Sequence, residues 1–197
     1  MPKGIPLTEK EQQLRRREII TACAPLFLEN GFHETSMREV AEAAGLGKST
    51  LYDYFRSKEE ILLFYFEDAL GGITQRAREI IAQEANVSEK LRRIMLMHLG
   101  YLVENQKIFL ILSFEAQRLS AAGQEQLQAQ RHAYQDMLRE LIEEGQCLGE
   151  FRQVNSLFAA RSVFSLLSLA VFTSRPTGTP EQMLEEAMAI FFTGIQA

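Results

Sequence analysis

The sequence is poor in cysteine and proline and has no tryptophan, with two cysteines and five prolines among 197 residues. Cys23 and Cys147 lie far apart and show neither metal-ligand spacing nor a disulfide pattern. The longest apolar tract, residues 158–172, contains Arg161 and is too short to span a bilayer. The first residues lack the apolar core of a signal peptide. We therefore expect a soluble, cytoplasmic protein without membrane association.

The chain also lacks an excess of basic residues. Its net charge is −5 at pH 7, and residues 1–60 hold nine Lys and Arg against ten Asp and Glu. A non-specific nucleoid protein would need a strongly basic chain, so that class is disfavoured. In residues 1–17 five basic residues stand against two acidic ones, Glu9 and Glu11; the basic residues are Lys3, Lys10, Arg15, Arg16 and Arg17. Because phosphate is contacted by local clusters of basic residues, the acidic net charge of the chain does not exclude sequence-specific DNA binding.

Hydrophobic residues make up 46% of the chain, which favours a compact globular protein over a disordered one. Their helical periodicity, without a convincing strand, predicts an all-α fold of about nine helices. The first helix is expected from about Thr8 to Glu29. Pro25 inside it costs about 3 kcal/mol, which predicts a kink or a displaced boundary. On the same apolar face, Cys23 is expected to be a small buried hydrophobe.

The most informative stretch is Thr35–Lys58, which predicts two short helices joined by a tight turn. Ser36 and Glu39 have the spacing of a capping box, in which hydroxyl and carboxylate each satisfy a backbone N–H. Gly45 can adopt the left-handed conformation that ends a helix. Ser57 begins a second capping box for the next helix. A Gly-containing turn between two short helices is typical of a helix-turn-helix.

The second short helix is polar over most of its surface. Leu51 and Phe55 are its only clearly apolar residues, so we expect them to anchor it in the core. The residues left for the outer side are Lys48, Ser49, Thr50, Tyr52 and Asp53. This pattern predicts a recognition helix that enters the major groove of DNA.

These residues resemble the signature of the TetR family of transcriptional regulators. The similarity is carried by AxxAGL at 41–46 and KSTLYDYFxSKEEIL at 48–62. It implies a three-helix N-terminal DNA-binding domain and a C-terminal helical bundle for effector binding and dimerisation. The implied function is that of a homodimer on a palindromic operator. Repression relieved by a small lipophilic molecule is the default expectation, while activation, or DNA binding without a ligand, stays open.

By this resemblance, Thr50 and Tyr52 match positions that touch bases or adjacent phosphates, and Tyr54 and Lys58 match phosphate contacts. Arg38 matches a position that can reach a base edge, where bidentate pairing with guanine is worth about 1–3 kcal/mol.

Thr35 is added to this set because its hydroxyl lies at a helix N-terminus, which favours phosphate. The predicted DNA-binding residues are Thr35, Ser36, Arg38, Lys48, Ser49, Thr50, Tyr52, Tyr54 and Lys58.

The predicted domains are residues 1–56, which bind DNA, and residues 57–197, which bind the effector and form the dimer. The fourth helix begins at this boundary, and we expect it to transmit the effector signal. An excess of Phe and Met in the later helices indicates either an ordinary core or a lipophilic cavity, and the resemblance favours the cavity. The predicted pocket residues are Phe66, Met95, His98, Leu102, Phe109, Leu112, Tyr134, Met137 and Phe164.

The last two long helices carry more apolar surface than one monomer needs. Serines between the large residues permit close approach, which predicts an isologous four-helix dimer interface. The predicted interface residues are Phe158, Ser165, Leu169, Phe172, Phe191 and Phe192.

Other classes of function find little support in the sequence. Gly47-Lys48-Ser49-Thr50 suggests a phosphate-binding loop, but position 42 is Glu where that motif needs Gly, and no strand precedes it. His98, Glu115 and His132 lack metal-ligand spacing and are expected to be surface or pocket groups. No nucleophile–base pair and no cofactor loop is recognisable, so an enzyme or a lipid carrier is disfavoured. No metal and no cofactor are expected.

Overall fold

The computed structural model describes residues 8–196, and the predicted basic residue Lys3 lies outside that range. Within the described range the protein consists of nine helices and no strand, with one isolated antiparallel bridge between Phe151 and Gln196. The helices are α1 (Glu9–Asn30), α2 (Met37–Ala43), α3 (Lys48–Tyr52), α4 (Lys58–Ile81), α5 (Val87–Glu104), α6 (Gln106–Ala116), α7 (Ala121–Cys147), α8 (Ser156–Phe172) and α9 (Pro180–Ile195). The predicted all-α fold is confirmed.

Short polar side chains set the beginnings of the helices. Thr8 and Thr179 form complete capping boxes at α1 and α9, while the side chains of Asn86 and Asn155 accept a backbone N–H at the starts of α5 and α8. Each cap satisfies N–H groups that have no partner inside the helix. The helix boundaries therefore follow from local sequence chemistry.

Neither the proline inside α1 nor the glycine pair inside α4 divides its helix. α1 continues through Pro25, whose side chain is exposed, so the displaced boundary predicted there is wrong. α4 likewise continues through Gly71 and Gly72 to Ile81. In both helices, packing of the apolar face outweighs the local propensity penalty.

The packing of the chain divides it into two compact units. The first unit comprises the residues up to Glu67 together with Lys107–Gln124, and the second comprises Asp68–Gln106 and the residues from Glu125 onward. Both α4 and α7 contribute residues to each unit. The functional boundary predicted between residues 56 and 57 lies at the start of α4 and stays a prediction.

The first unit contains the core of the three N-terminal helices. Ile19, Cys23 and Phe27 of α1 are buried, together with Val40 of α2 and Leu51 of α3. Burial raises the pKa of the Cys23 thiol to about 12, so the thiol stays protonated, as expected of a small buried hydrophobe.

In the second unit, α5, α8 and α9 pack against one another. The carboxylate of Glu150 accepts the backbone N–H groups of Val87 and Ser88, at 3.1 and 3.0 Å, and so holds the start of α5. The N–H of Arg152 donates to the carbonyl of Ile195 at 2.8 Å, which fixes the end of α9. None of the helices within residues 8–196 is long and apolar enough to cross a membrane.

Candidate DNA-binding surface

The start of α2 has the geometry that its sequence predicts. The Ser36 hydroxyl accepts the Glu39 N–H at 3.2 Å, and the Glu39 carboxylate accepts the Ser36 N–H at 2.7 Å. Hydrogen bonds from the backbone and side chain of Ser36 lower the pKa of Glu39, so this carboxylate stays ionised at neutral pH. The predicted capping box is confirmed.

The turn between α2 and α3 depends on one glycine. Gly45 has φ +65°, a left-handed conformation that costs glycine no steric penalty. The next N–H, from Leu46, donates to the Ala41 carbonyl at 2.8 Å and closes the end of α2. Gly47 then precedes α3 and offers no side-chain cap, so the start of α3 is held less firmly than the start of α2.

α3 has one buried side and one exposed side. Leu51, and Phe55 just beyond the helix, are fully buried, as predicted for the anchors of a recognition helix. The residues predicted to face outward are all exposed: Lys48, Ser49, Thr50, Tyr52 and Asp53. The exposed side of α3 therefore carries a cation, two aliphatic hydroxyls and a phenol.

Arg38 extends this exposed surface onto α2. Its guanidinium Nε donates to the carboxylate of Glu42, one helical turn later, at 2.8 Å. Both side chains are exposed, and the hydrogen bond to Glu42 raises the pKa of Arg38. This bond occupies the Nε–H, and the two terminal NH₂ groups carry the donors that bidentate pairing with guanine uses.

Thr35 does not lie on this surface. Its side chain is only 1% exposed, and its hydroxyl donates to the Gly31 carbonyl at 2.8 Å. The predicted phosphate contact by this hydroxyl is therefore corrected, since its bond instead closes the turn between α1 and α2. The neighbouring capping residue Ser36 is exposed.

Lys58, at the first position of α4, contacts the turn that follows α1. Its ammonium donates to the carbonyls of Phe32, at 3.0 Å, and His33, and it lies 5.3 Å from the centre of the Phe32 ring. The carbonyl dipoles offset the unfavourable placement of a cation at a helix N-terminus. These bonds use two of its three donors.

The second capping box forms only in part. The Ser57 hydroxyl accepts the Glu60 N–H at 3.2 Å, as its spacing predicts. The Glu60 carboxylate, however, accepts the N–H of Arg56 at 2.6 Å rather than that of Ser57. Its other oxygen is then available to a residue of α1.

That residue is Arg16, whose contacts fix the end of the recognition helix. Its Nη2 donates to Glu60 at 2.7 Å, and its Nε donates to the Tyr54 carbonyl at 3.0 Å. The guanidinium also lies over the rings of Phe55 and Phe64, 4.6 and 4.8 Å from their centres. One side chain of α1 therefore holds the backbone that follows α3 and the first turn of α4.

The sequence pattern places Arg16 in a basic cluster suited to phosphate and does not indicate this role. Its neighbour Arg15 pairs with Glu18 on the surface, three residues along the same helix. The i,i+3 spacing of Arg15 and Glu18 is visible in the sequence, whereas the partners of Arg16 lie 38 and 44 residues away.

The second unit has an aromatic cluster formed by His98 and Tyr134, which are buried, and Phe164, which is half-buried. Their ring centres lie 5.1–5.7 Å apart in edge-to-face pairs, and the Tyr134 hydroxyl is 3.3 Å from His98 Nδ1. Burial lowers the pKa of His98 to about 4 and raises that of Tyr134, so both groups are neutral at pH 7. Met95 and Leu102 are buried in the same unit, and Met137 is half-buried.

The other predicted pocket residues belong to the first unit, where Phe66 and Phe109 make an edge-to-face contact at 5.7 Å and Leu112 is buried. His132 is exposed and lies outside any buried cluster. In the part of the chain that the structure describes, no three His, Cys, Asp or Glu side chains lie close enough together to hold a metal ion.

α8 has a face of regular spacing, on which Phe158, Ser165 and Leu169 are exposed and Ser162 and Phe172 are half-buried. Phe158, Ser162, Ser165, Leu169 and Phe172 follow one another at intervals of four and three residues, the spacing of a helix–helix seam. An open depression of about 490 Å³ lies along this face, lined by Phe164, Ser165, Ser168, Leu169, Phe172 and Thr173.

The contribution predicted from α9 requires correction. Phe191 and Phe192 are only 9% and 4% exposed, because they pack into the second unit beside Phe151 and under Arg92. A large apolar residue of α9 that is exposed is instead Ile190, at 76%. On the outer face of α9, Ile190 therefore takes the place that was predicted for its neighbour Phe191.

Two family models match the chain. The model of bacterial regulatory proteins of the tetR family matches residues 19–63, and that of the tetracyclin repressor-like C-terminal domain matches residues 84–195. Together they cover the helix-turn-helix and most of the remaining helices. The chain belongs to the TetR family of transcriptional regulators.

Relatives agree over nearly the whole length. A TetR-family transcriptional regulator, PfmR from Thermus thermophilus, is 31% identical with a TM-score of 0.75, covering 91% of this chain and 99% of that one. The ketosteroid transcriptional regulator KstR2 of Mycobacterium tuberculosis is 27% identical with a TM-score of 0.72, covering 93% and 95%. The fatty acid metabolism regulator protein of Bacillus subtilis strain 168 is 25% identical over 165 residues, 83% of this chain and 85% of that protein. The predicted family and the role as a DNA-binding regulator are confirmed.

The contacts of Arg16 predict a specific loss on substitution. Arg16→Lys keeps the charge but cannot bond both the Tyr54 carbonyl and Glu60 while stacking on two rings. We expect the free energy of unfolding to fall by about 1–3 kcal/mol, and DNA affinity to fall with it. Urea denaturation and a DNA titration measure the two effects. Arg15→Lys, at the exposed pair, is the control and should change stability by less than about 0.5 kcal/mol; equal effects would contradict the role of Arg16.

The buried imidazole predicts a pH dependence. Because the pKa of His98 is lowered from 6.5 to about 4 in the folded state, the unfolded chain binds the proton more readily. Stability is therefore fully present above pH 6.5 and falls as the pH drops toward 4, by up to about 3 kcal/mol. Urea denaturation between pH 4 and 7.5 measures this, and His98→Gln should flatten the curve. If the stability of His98→Gln fell with decreasing pH as steeply as that of wild type, groups other than His98 would be responsible for the loss.

Proposed function

We propose that this chain is a repressor that binds a palindromic operator as a homodimer and is released by a small lipophilic effector. The observation that supports this most strongly is the exposed polar side of α3, anchored by Leu51 and Phe55 and held at its end by Arg16. Such a rigid polar helix can place its side chains against base edges. The protein then acts by binding rather than by catalysis, in the cytoplasm where the DNA lies.

The proposed contacts divide into two kinds. Arg38, Thr50 and Tyr52 contact bases, since their exposed side chains carry the donors that base edges accept. Contacts to the phosphate backbone come from the exposed groups of Ser36, Lys48 and Ser49, and from the half-buried Tyr54 and the third ammonium N–H of the half-buried Lys58. The DNA-binding domain in this proposal is residues 1–56, with Lys58 as a contribution from α4.

The dimer forms through the regularly spaced face of α8. Phe158, Leu169 and Phe172 supply the large residues, and Ser165 lets the partner helix approach closely. Ile190 adds apolar surface from α9. Dimerisation doubles the number of phosphate contacts, which a chain of net charge −5 needs for affinity.

The effector is apolar or amphipathic. The relatives are named for ketosteroids and for fatty acid metabolism, and the predicted pocket residues of this chain are aromatic, aliphatic and methionine side chains. The neutral His98–Tyr134 pair offers hydrogen bonds but no charge, so it suits a hydroxyl or carbonyl group on a lipophilic molecule. We assign residues 57–197 to effector binding and dimerisation.

Regulation in this proposal is a shift of population. The effector favours an arrangement in which the spacing of the two recognition helices no longer matches one turn of DNA. α4 transmits this change, because it begins beside the DNA-binding residues and continues as one helix to Ile81.

A titration against DNA from the region upstream of the gene tests the proposal. Wild-type protein should form a salt-sensitive, sequence-dependent complex. Arg38→Ala should bind the preferred site about 1–3 kcal/mol more weakly and should discriminate less between bases at one position of that site. Lys58→Ala should weaken binding to all sequences alike and reduce the salt slope by about one.

Fluorescence anisotropy with a permuted panel of sites separates these two patterns. Lys107→Ala, at an exposed cation of α6 outside the proposed contacts, is the control for the loss of charge alone. A wild-type protein without a salt-sensitive, sequence-dependent complex would refute the function, and uniform loss in both variants would refute the division into base and phosphate contacts.

A charge on the face of α8 should separate the dimer. Leu169→Glu buries two carboxylates against an apolar partner, so we expect monomers at micromolar concentration and DNA affinity reduced at least about tenfold. Leu148→Glu is the matched control, because Leu148 is an exposed leucine outside α8. Light scattering after size-exclusion chromatography measures the mass. A Leu169→Glu dimer as stable as wild type would place the interface elsewhere.

A further inference from the structure

An open polar depression lies between the first half of α1 and the residues at the end of α3. Its volume is about 550 Å³, and its lining includes Gln12 and Gln13 of α1 together with Tyr52, Tyr54 and Arg56. All of these residues belong to the first unit. Because α1 supplies none of the predicted DNA-binding residues, this surface extends beyond the contacts proposed above.

The backbone around the depression is held by the ion pair of Arg16 and Glu60, which also line it. Arg16 binds the Tyr54 carbonyl at 3.0 Å, and the Glu60 carboxylate binds the Arg56 N–H at 2.6 Å. These bonds fix the main chain on which the lining side chains stand. A ligand that enters the depression therefore has little backbone to reorganise.

Several N–H donors in the depression have no partner within the protein. The guanidinium of Arg56 is exposed, and it has neither a hydrogen bond nor an ion pair among residues 8–196. The side-chain amides of Gln12 and Gln13 likewise donate no hydrogen bond within that range. The charge of Arg16, by contrast, is already paired with Glu60. The free donors of the depression suit an anionic oxygen.

Two exposed carboxylates, Glu9 and Asp53, also line the depression. They offset the charge of Arg56, so a free anion such as inorganic phosphate gains little by binding there. A phosphate of a duplex that is already held by neighbouring base contacts is instead presented at a high effective concentration. Since Tyr52 and Tyr54 are proposed DNA contacts, the depression is continuous with the proposed DNA interface.

We propose that this depression is a phosphate seat, in which Arg56 and the amides of Gln12 and Gln13 bind one phosphate of the operator backbone beside the bases that Tyr52 contacts. Arginine and glutamine side chains commonly bond phosphate oxygens in protein–DNA complexes, and such bonds fix the register of the protein on the duplex. α1 then contributes directly to operator binding as well as supporting α3. This inference rests on the proposed function and adds three contacts to it.

Two variants disable the seat from different helices. Arg56→Gln removes the cation, and Gln12→Ala combined with Gln13→Ala removes the amides while slightly improving the helix propensity of α1. Arg76→Gln is the matched control, because Arg76 is an exposed arginine of α4 that belongs to the second unit. The substituted side chains are exposed or half-buried, so each melting temperature should stay within about 3 °C of wild type.

The measurement is affinity for operator duplexes in which one phosphate at a time is replaced by an uncharged methylphosphonate. Wild type should bind about threefold or more weakly wherever the replaced phosphate is contacted. Arg56→Gln should bind the unmodified operator about tenfold more weakly, with a salt slope reduced by about one per protomer. At one linkage of each half-site, the methylphosphonate should weaken binding of Arg56→Gln by less than about twofold. The glutamine variant should become insensitive at the same linkage.

The pattern of linkages separates a phosphate seat from a general loss of charge or stability. Arg76→Gln should keep the wild-type response at every linkage, and all variants should prefer the same half-site sequence, since phosphate contacts carry no sequence information directly. If Arg56→Gln responded to every methylphosphonate as wild type does, or if the two variants became insensitive at different linkages, the seat would be refuted. A wild type without a sequence-dependent complex would instead refute the proposed function itself.

Discussion

The ion pair between Arg16 and Glu60 is the interaction on which the candidate DNA-binding surface depends. α3 has only five residues, Lys48–Tyr52, and a helix this short is unstable without tertiary support. Leu51 and Phe55 anchor the inner side of α3 in the core, but they do not fix the position of its C-terminal end. The guanidinium of Arg16 defines it by binding the Tyr54 carbonyl, stacking on Phe55 and pairing with the first turn of α4.

The consequence is that the orientation of α3 is determined at α4. Lys58, Glu59 and Glu60 each bond a different neighbouring segment, so a movement of this turn must either carry the recognition helix along or break these bonds. A regulator needs this property, because an effector bound elsewhere can change DNA affinity only through groups whose arrangement differs between two states. The acidic net charge fits the same scheme, since weak intrinsic affinity makes binding depend on correct geometry in both protomers.

Much of the helix-turn-helix could be predicted because its determinants are local. The cap at Ser36, the turn at Gly45 and the buried anchors Leu51 and Phe55 follow from spacing and backbone chemistry within a few residues. The unforeseen features depend on distant partners. Arg16 meets groups 38 and 44 residues away, and Phe191 and Phe192 fill a core whose other members are distant in sequence. Helical periodicity indicates that one face is buried, but not whether its partner is another helix of the same chain or a second protomer.

The most direct measurement of how α3 and α4 act together on DNA is hydrogen–deuterium exchange of the wild-type dimer with and without operator DNA. We expect slower exchange with DNA in two segments, residues 36–39 and 48–54, and in the first turn of α4 as well. The regularly spaced face of α8 should exchange equally in both samples, because the proposed dimer interface covers it with or without DNA. Operator-dependent protection confined to α8 and α9, with none in α2 and α3, would contradict the role of this surface in DNA binding.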